Sequence, residues 1–189
     1  MPDDGNLLVR HKLTVADIYL MLDAGILHED DRVELINGEL LDMAPIGSDH
    51  ATTVDRLTEA LVLACTGRAI VRVQNPVRLD DLNEPQPDFS ILRPRPDGYR
   101  SGHPGPADVL LLVEVADSSL RFDRRVKLPL YARFGIPEVW IADLQRRVLE
   151  RHRAPVDGAY ADRTEHEPGE RLFPFLLPEA ALTLAGVFD

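Results

Sequence analysis

Residues 109–116, Val-Leu-Leu-Leu-Val-Glu-Val-Ala, constrain the fold more than any other stretch of this chain. A continuous apolar run of strand length, rich in Val and Leu and bounded by polar residues, is the mark of a strand covered on both faces. Glu114 interrupts it. A carboxylate in such a setting is costly unless a cation or hydrogen bonds compensate it, so Glu114 demands a partner. A second acidic residue, Asp88, opens another apolar run, Pro87-Asp88-Phe89-Ser90-Ile91-Leu92, where the fixed φ of Pro87 suits the first position of a strand.

The surrounding chain reads as alternating helices and strands. Leu13–Leu22 has helical spacing, with Thr14 as N-cap and Gly25 near its end. Asn37-Gly38 between two apolar runs predicts a hairpin over residues 32–41, with Glu34 on its first strand. Val54, Leu57, Leu61 and Ala64 give residues 52–65 one apolar helical face that stops near Gly67. Strands are expected at 69–74, 87–92 and 109–116. A helix should follow Ser118-Ser119, carrying Val126, Leu130 and Tyr131, with Pro129 forcing a late start or a kink and Gly135 ending it. Residues 138–143 then read as a strand reached by a parallel crossover, and 147–152, 159–164 and 170–173 as antiparallel strands.

The 189 residues suit a single domain over 1–189. No apolar stretch is long enough to span a bilayer, and Met1–Gly5 lacks the basic and apolar blocks of an export signal, so a cytoplasmic protein is expected. Cys65, the lone cysteine, excludes an internal disulfide and a multi-cysteine zinc site. A net charge of −11 argues against retention on nucleic acid by a broad basic surface. Residues 121–133 run the other way, with Arg121, Arg124, Arg125, Lys127 and Arg133 against Asp123 alone, and predict a local basic patch.

Taken singly, Asp88 reads as a turn-capping carboxylate, Glu114 as half of a buried ion pair and Lys127 as a solvated helix residue. Taken together they suggest a divalent-metal site acting on phosphate, because two oxygen donors are a usual protein contribution to Mg²⁺ and a lysine beside them suits an anionic substrate. Glu34 is a further carboxylate candidate, as a second metal ligand or as a holder of the first metal's water. His50, expected just before the second helix, is a candidate proton carrier or ligand. Arg124 and Arg125 read as phosphate-contacting or solvated, and Asp80, Asp81, Asp117 and Asp123 as caps of turns or helices.

Pro87-Asp88 with Glu114 resembles the PD-(D/E)XK nuclease superfamily, with Ala116 standing where its motif lysine is usual; some members carry that lysine on the following helix, the place of Lys127. More narrowly, the chain resembles the Uma family of bacterial restriction-endonuclease-like proteins. The blocks that carry this resemblance are Val33–Leu40, Asp49-His50, Gln86-Pro87-Asp88, Leu112–Val115, Lys127–Ala132 and Gly135–Trp140. After Val113-Glu114-Val115 the family usually continues with small polar residues and a proline, whereas here the loop is Ala116-Asp117-Ser118-Ser119.

The resemblance implies an α/β restriction endonuclease-like core, a central mixed β-sheet flanked by helices, with additional antiparallel strands at the C-terminal end. It also implies Mg²⁺ dependence, with Mn²⁺ as a substitute, and often a homodimer. The expected function is a Mg²⁺-dependent endonuclease acting on DNA, double-stranded in the first instance. Asp88, Glu114 and the Val115 carbonyl would be metal ligands, and Asp88, Glu114, Lys127, Glu34 and His50 the catalytic set. The alternatives are an inactive nuclease-fold binding or regulatory protein and a hydrolase of a smaller phosphate ester.

Overall fold

The long apolar run forms a strand along its whole length, β5 (Val109–Ala116), and every residue of it is buried in the computed structural model, which describes residues 10–28 and 30–189. Met1–Gly5, read above for an export signal, lies outside the described residues. The main sheet has six strands, in the order β3 (Ile70–Val73), β4 (Phe89–Leu92), β5, β6 (Glu138–Asp143), β7 (Val148–Val156) and β8 (Ala159–His166). β5 and β6 pair in parallel and the other neighbours antiparallel, so the expected mixed sheet is present. β9 (Arg171–Leu172) and β10 (Leu182–Thr183) make a small antiparallel pair near the C-terminus.

Each face of the sheet is covered by a different helical layer. Val54, Leu57, Leu61 and Cys65 of α2 (Ser48–Cys65) pack against Phe89, Leu111, Val113 and Trp140 on one face. The other face carries Leu112, Ala116, Val139 and Ile141 beneath Leu128, Leu130 and Tyr131 of the crossover helix. Glu114 alternates with Val113 and Val115, so its side chain falls in this second layer.

Local signals explain the flanking elements. Thr14 caps α1 (Val15–Asp23) through a reciprocal capping box with Asp17. Asn37 (φ 53°) and Gly38 (φ 76°) close the hairpin of β1 (Val33–Ile36) and β2 (Glu39–Asp42), both in the left-handed region that a two-residue turn requires. α2 begins at Ser48 rather than Thr52, because its first turn is polar and shows no apolar spacing; His50 is therefore inside the helix.

The crossover also departs from expectation. It runs as α3 (Leu120–Phe122), a π turn over Asp123–Lys127 and α4 (Leu128–Arg133). Pro129 lacks a donor and its ring crowds the carbonyl four residues back. The wider π turn just before it, in which the Leu128 N–H donates to the Asp123 carbonyl, lets the helical path continue. No helix among the described residues is long and apolar enough to cross a membrane.

Candidate active site

The register of β4 on β5 creates the site. Phe89 lies opposite Val113, so one residue further Asp88 comes opposite Glu114, on the same face and at the same end of the sheet. β4 begins at Phe89, so at this point its backbone no longer pairs with β5. The Val115 N–H donates instead to Asp88 Oδ2 at 2.8 Å.

Asp88 also accepts from Gln74 Nε2 at 3.0 Å and lies 3.3 Å from His50 Nε2. Burial works against its charge, but the contacts with His50, Val115 and Gln74 outweigh it and lower its pKa; the same hydrogen bond raises that of His50. His50 Nδ1 is buried and has no protein partner.

Glu114 sits in a poorer balance. Tyr131 Oη donates to its Oε1 at 2.6 Å, and Lys127 Nζ lies 3.4 Å from it and 3.1 Å from Glu34 Oε2. Lys127 and Tyr131 are four residues apart on the crossover and so share a face. Burial pushes Glu114 up to about 8, with Lys127 opposing and Asp123 and Asp88 reinforcing the shift. Burial also penalises the Lys127 ammonium, yet Glu114, Glu34 and Asp123 together raise its pKa and hold it charged. Glu34 reaches the cluster because its hairpin is stitched to residues 82–86: the Glu84 N–H donates to the Leu35 carbonyl at 2.8 Å, and the Gln86 N–H to Glu34 Oε2 at 3.3 Å.

Asp88, Glu114, Lys127, Glu34, His50 and Val115 all line one cavity of about 370 Å³. Asp123 lines it too. Expected to act as a cap, Asp123 does accept from Ser119 Oγ at 2.7 Å, but it is 3% exposed and burial raises it to about 6. Spacing alone did not single it out, since an aspartate near the start of a helix reads as a cap. Tyr131 is expected only as part of the helix after Ser119, and its hydroxyl's task has no sequence signal.

Of the expected basic patch at 121–133, Arg121, Arg125 and Arg133 are exposed, while Arg124 and Lys127 are held in ion pairs. Arg124 pairs with Asp143 at 3.2 Å and with Glu150, Lys127 with Glu34 and Glu114, and Arg133 Nη2 donates to Asn37 Oδ1 at 3.1 Å. Arg124 is thus partly exposed but paired, and is not among the residues that line the cavity.

The comparisons with known proteins bear on the family and the fold. The Uma2 family, described as "Putative restriction endonuclease", matches residues 16–185. The chain belongs to the Uma2 family. No curated protein sequence matches it. Among solved structures, "a putative nuclease belonging to DUF820" from Anabaena variabilis is similar with a TM-score of 0.66. The likeness covers 88% of this chain and 96% of that one at 16% identity, and is one of fold.

In this Uma2 protein the donors suit a hard divalent cation. Among the described residues no three His, Cys, Asp or Glu side chains converge as a ready-made metal cluster. Two carboxylates, one backbone oxygen and water is nevertheless the pattern Mg²⁺ accepts, since it keeps much of its water shell. The N–H and C=O of one strand residue share an edge, so the Val115 carbonyl is directed to the side on which Val115 N–H meets Asp88.

Proposed function

We propose that this Uma2 protein is a Mg²⁺-dependent DNA endonuclease, Mn²⁺ serving as a substitute. The observation that carries the reading is the meeting of Asp88, Glu114 and Lys127 in one cavity although Ala116 fills the usual lysine position. Asp88, Glu114 and the Val115 carbonyl would hold the metal. When bound, the metal would supply Lewis-acid activation of water and of the phosphodiester.

The remaining steps belong to the chain. Lys127, kept charged by its carboxylate neighbours, orients the attacking water and offsets charge developing on the phosphate. Glu34, 3.1 Å from the Lys127 ammonium, fixes it together with Glu114. His50, whose pKa is raised by its hydrogen bond with Asp88, is the group that would pass a proton to the departing oxygen.

The test is cleavage of supercoiled, linear and single-stranded DNA with Mg²⁺ or Mn²⁺ by the purified protein. Activity in the wild type, lost in Asp88→Ala, Glu114→Ala and Lys127→Ala variants that still fold, is the expected result. Ala116 is the one observation that favours the second reading, a binding protein that kept the nuclease fold without catalysis. Absence of both cleavage and metal binding would establish that reading, whereas hydrolysis of small phosphate esters but not DNA would reassign the substrate.

A further inference from the structure

The cavity that holds the site is unsuited to a duplex in three ways. First, the groups that must meet the phosphate are sunk below the surface: Asp88 is 8%, Glu114 3% and Lys127 5% exposed. They lie at the base of a space of about 370 Å³, near the lower end of small-molecule sites. A rigid double helix presents its phosphates on a broad convex surface, whereas one flexible strand can thread into such a space.

Second, the cavity is two-sided in chemistry. Besides the carboxylates, the lining has an apolar part, a wall made by Met43, Pro45 and Ile46 from the β2–α2 connection and Phe122 of α3. Ile46 is 44% exposed, and the connection is held over the site by Arg32 Nη1 donating to the Ala44 carbonyl at 3.1 Å and by the Met43 N–H donating to the Arg32 carbonyl at 2.8 Å. In a duplex the base faces are stacked out of reach and only groove edges, sugars and phosphates are offered. An unpaired nucleotide offers a bare base face, which can lie against such a wall while its phosphate meets the carboxylate side.

Third, the cavity offers few cations to hold a duplex by its phosphates alone, so stacking of a base must contribute. Glu34, Asp42, Asp88, Glu114, Asp117 and Asp123 line the cavity against Arg32 and Lys127, with His50 between them. Duplex binding rests on many Lys and Arg contacts to phosphates. Here Lys127 and Arg124 are occupied by ion pairs within the fold, leaving Arg32 at the lining and the exposed Arg121, Arg125 and Arg133 on the crossover.

From these observations we infer that the substrate is an unpaired DNA nucleotide, in a single strand or at a flap or frayed end, with its base on the Met43–Ile46 and Phe122 wall. The inference rests on the nuclease reading. Its test uses one labelled oligonucleotide as single strand, as fully paired duplex and as the single-stranded flap of a duplex. Cleavage is followed with Mg²⁺ or Mn²⁺, and binding by fluorescence anisotropy in EDTA.

Single strand and flap should be cut, and bound more tightly, by at least about tenfold over duplex, the scale of one stacked base. Ile46→Ser, at an exposed loop position that should leave folding intact, and Phe122→Ala should both raise KM for the single strand. Equal or faster cleavage of duplex, still abolished by Asp88→Ala, would overturn the inference and leave the nuclease intact. A KM unmoved in both wall variants would overturn the base-binding wall. No cleavage of any DNA would overturn the nuclease reading and this inference with it.

Discussion

Glu114 and Glu150 occupy the same cross-strand row of the sheet, either side of Ile141, and both are buried, yet their surroundings are opposite. Each is met by a cation from the same π turn, Glu114 by Lys127 and Glu150 by Arg124. Glu150 also has Arg163 at 3.1 Å and His152 at 3.2 Å. Burial would raise it, but His152, Arg124 and Arg163 win and lower it to about 2. Glu114 shares one lysine with Glu34, has Asp123 and Asp88 nearby, and is raised to about 8. A saturated ion network is what a structural joint looks like; an under-compensated carboxylate facing a cavity is what a cation site looks like. The two are linked, since the Arg124 contacts fix the register of the turn that delivers Lys127.

The largest expected effect separates the two glutamates by what each variant loses. Glu114→Gln should reduce DNA cleavage by about a thousandfold, the scale of losing a group that acts on transition-state charge, with little loss of folding stability. Glu150→Gln should instead cost about 2 kcal/mol, because Arg124 and Arg163 lose charge-assisted hydrogen bonds to it. Denaturant unfolding beside a plasmid-nicking assay measures both. If Glu150→Gln proved the inactive but stable variant, the contrast drawn between the two ends of the row would be lost.

A smaller effect sharpens the Glu114 side. Tyr131→Phe removes the 2.6 Å hydrogen bond that orients Glu114 Oε1 and should weaken Mn²⁺ binding, read by calorimetry, by about 10–100-fold. Unchanged affinity would make that hydroxyl a packing contact only.

The smallest effect is a tilt of stability with pH in metal-free protein. Folded Glu114 keeps its proton to about 8 against an ordinary value of 4.5, so the folded state binds more protons and this contribution falls as pH rises from about 4.5 to about 8. Glu150 has the opposite sign: its stabilisation is present above 4.5 and falls away as pH drops toward about 2. Thermal midpoints in EDTA should therefore lose their alkaline decline in Glu114→Gln and their acid decline in Glu150→Gln. A wild-type midpoint that rose between pH 5 and 8 as fast as that of Glu114→Gln would contradict the first assignment.

These contrasts bear on what a reader of the sequence could have found. β5, the Asn37-Gly38 hairpin, the Thr14 cap and the parallel crossover were all legible, because each is set by local chemistry: apolar continuity, a left-handed turn, a capping hydroxyl, a helix between two apolar strands. Asp88, Glu114 and Lys127 were legible as candidates because charge inside or beside apolar runs needs a reason. Asp123 meets Ser119 as a cap would, but its place in the cavity and the ion pairs of Arg124 were not legible, because a composition count treats 121–133 as one basic stretch, whereas the fold directs Asp123 and Lys127 to the cavity and Arg124 toward β6 and β7.

By itself the sequence determined the elements, the buried central strand and the need to compensate Glu114, since helix spacing, turn residues and desolvation cost act over a few neighbouring positions. Tertiary structure alone decided which charges meet. The β4–β5 register sets Asp88 opposite Glu114, the hairpin's stitch to residues 82–86 brings Glu34 to Lys127, and the π turn divides one basic segment between a cavity and an ion network. Those are contacts between residues far apart in the chain, where strand pairing and helix register fix distances that composition and spacing leave open.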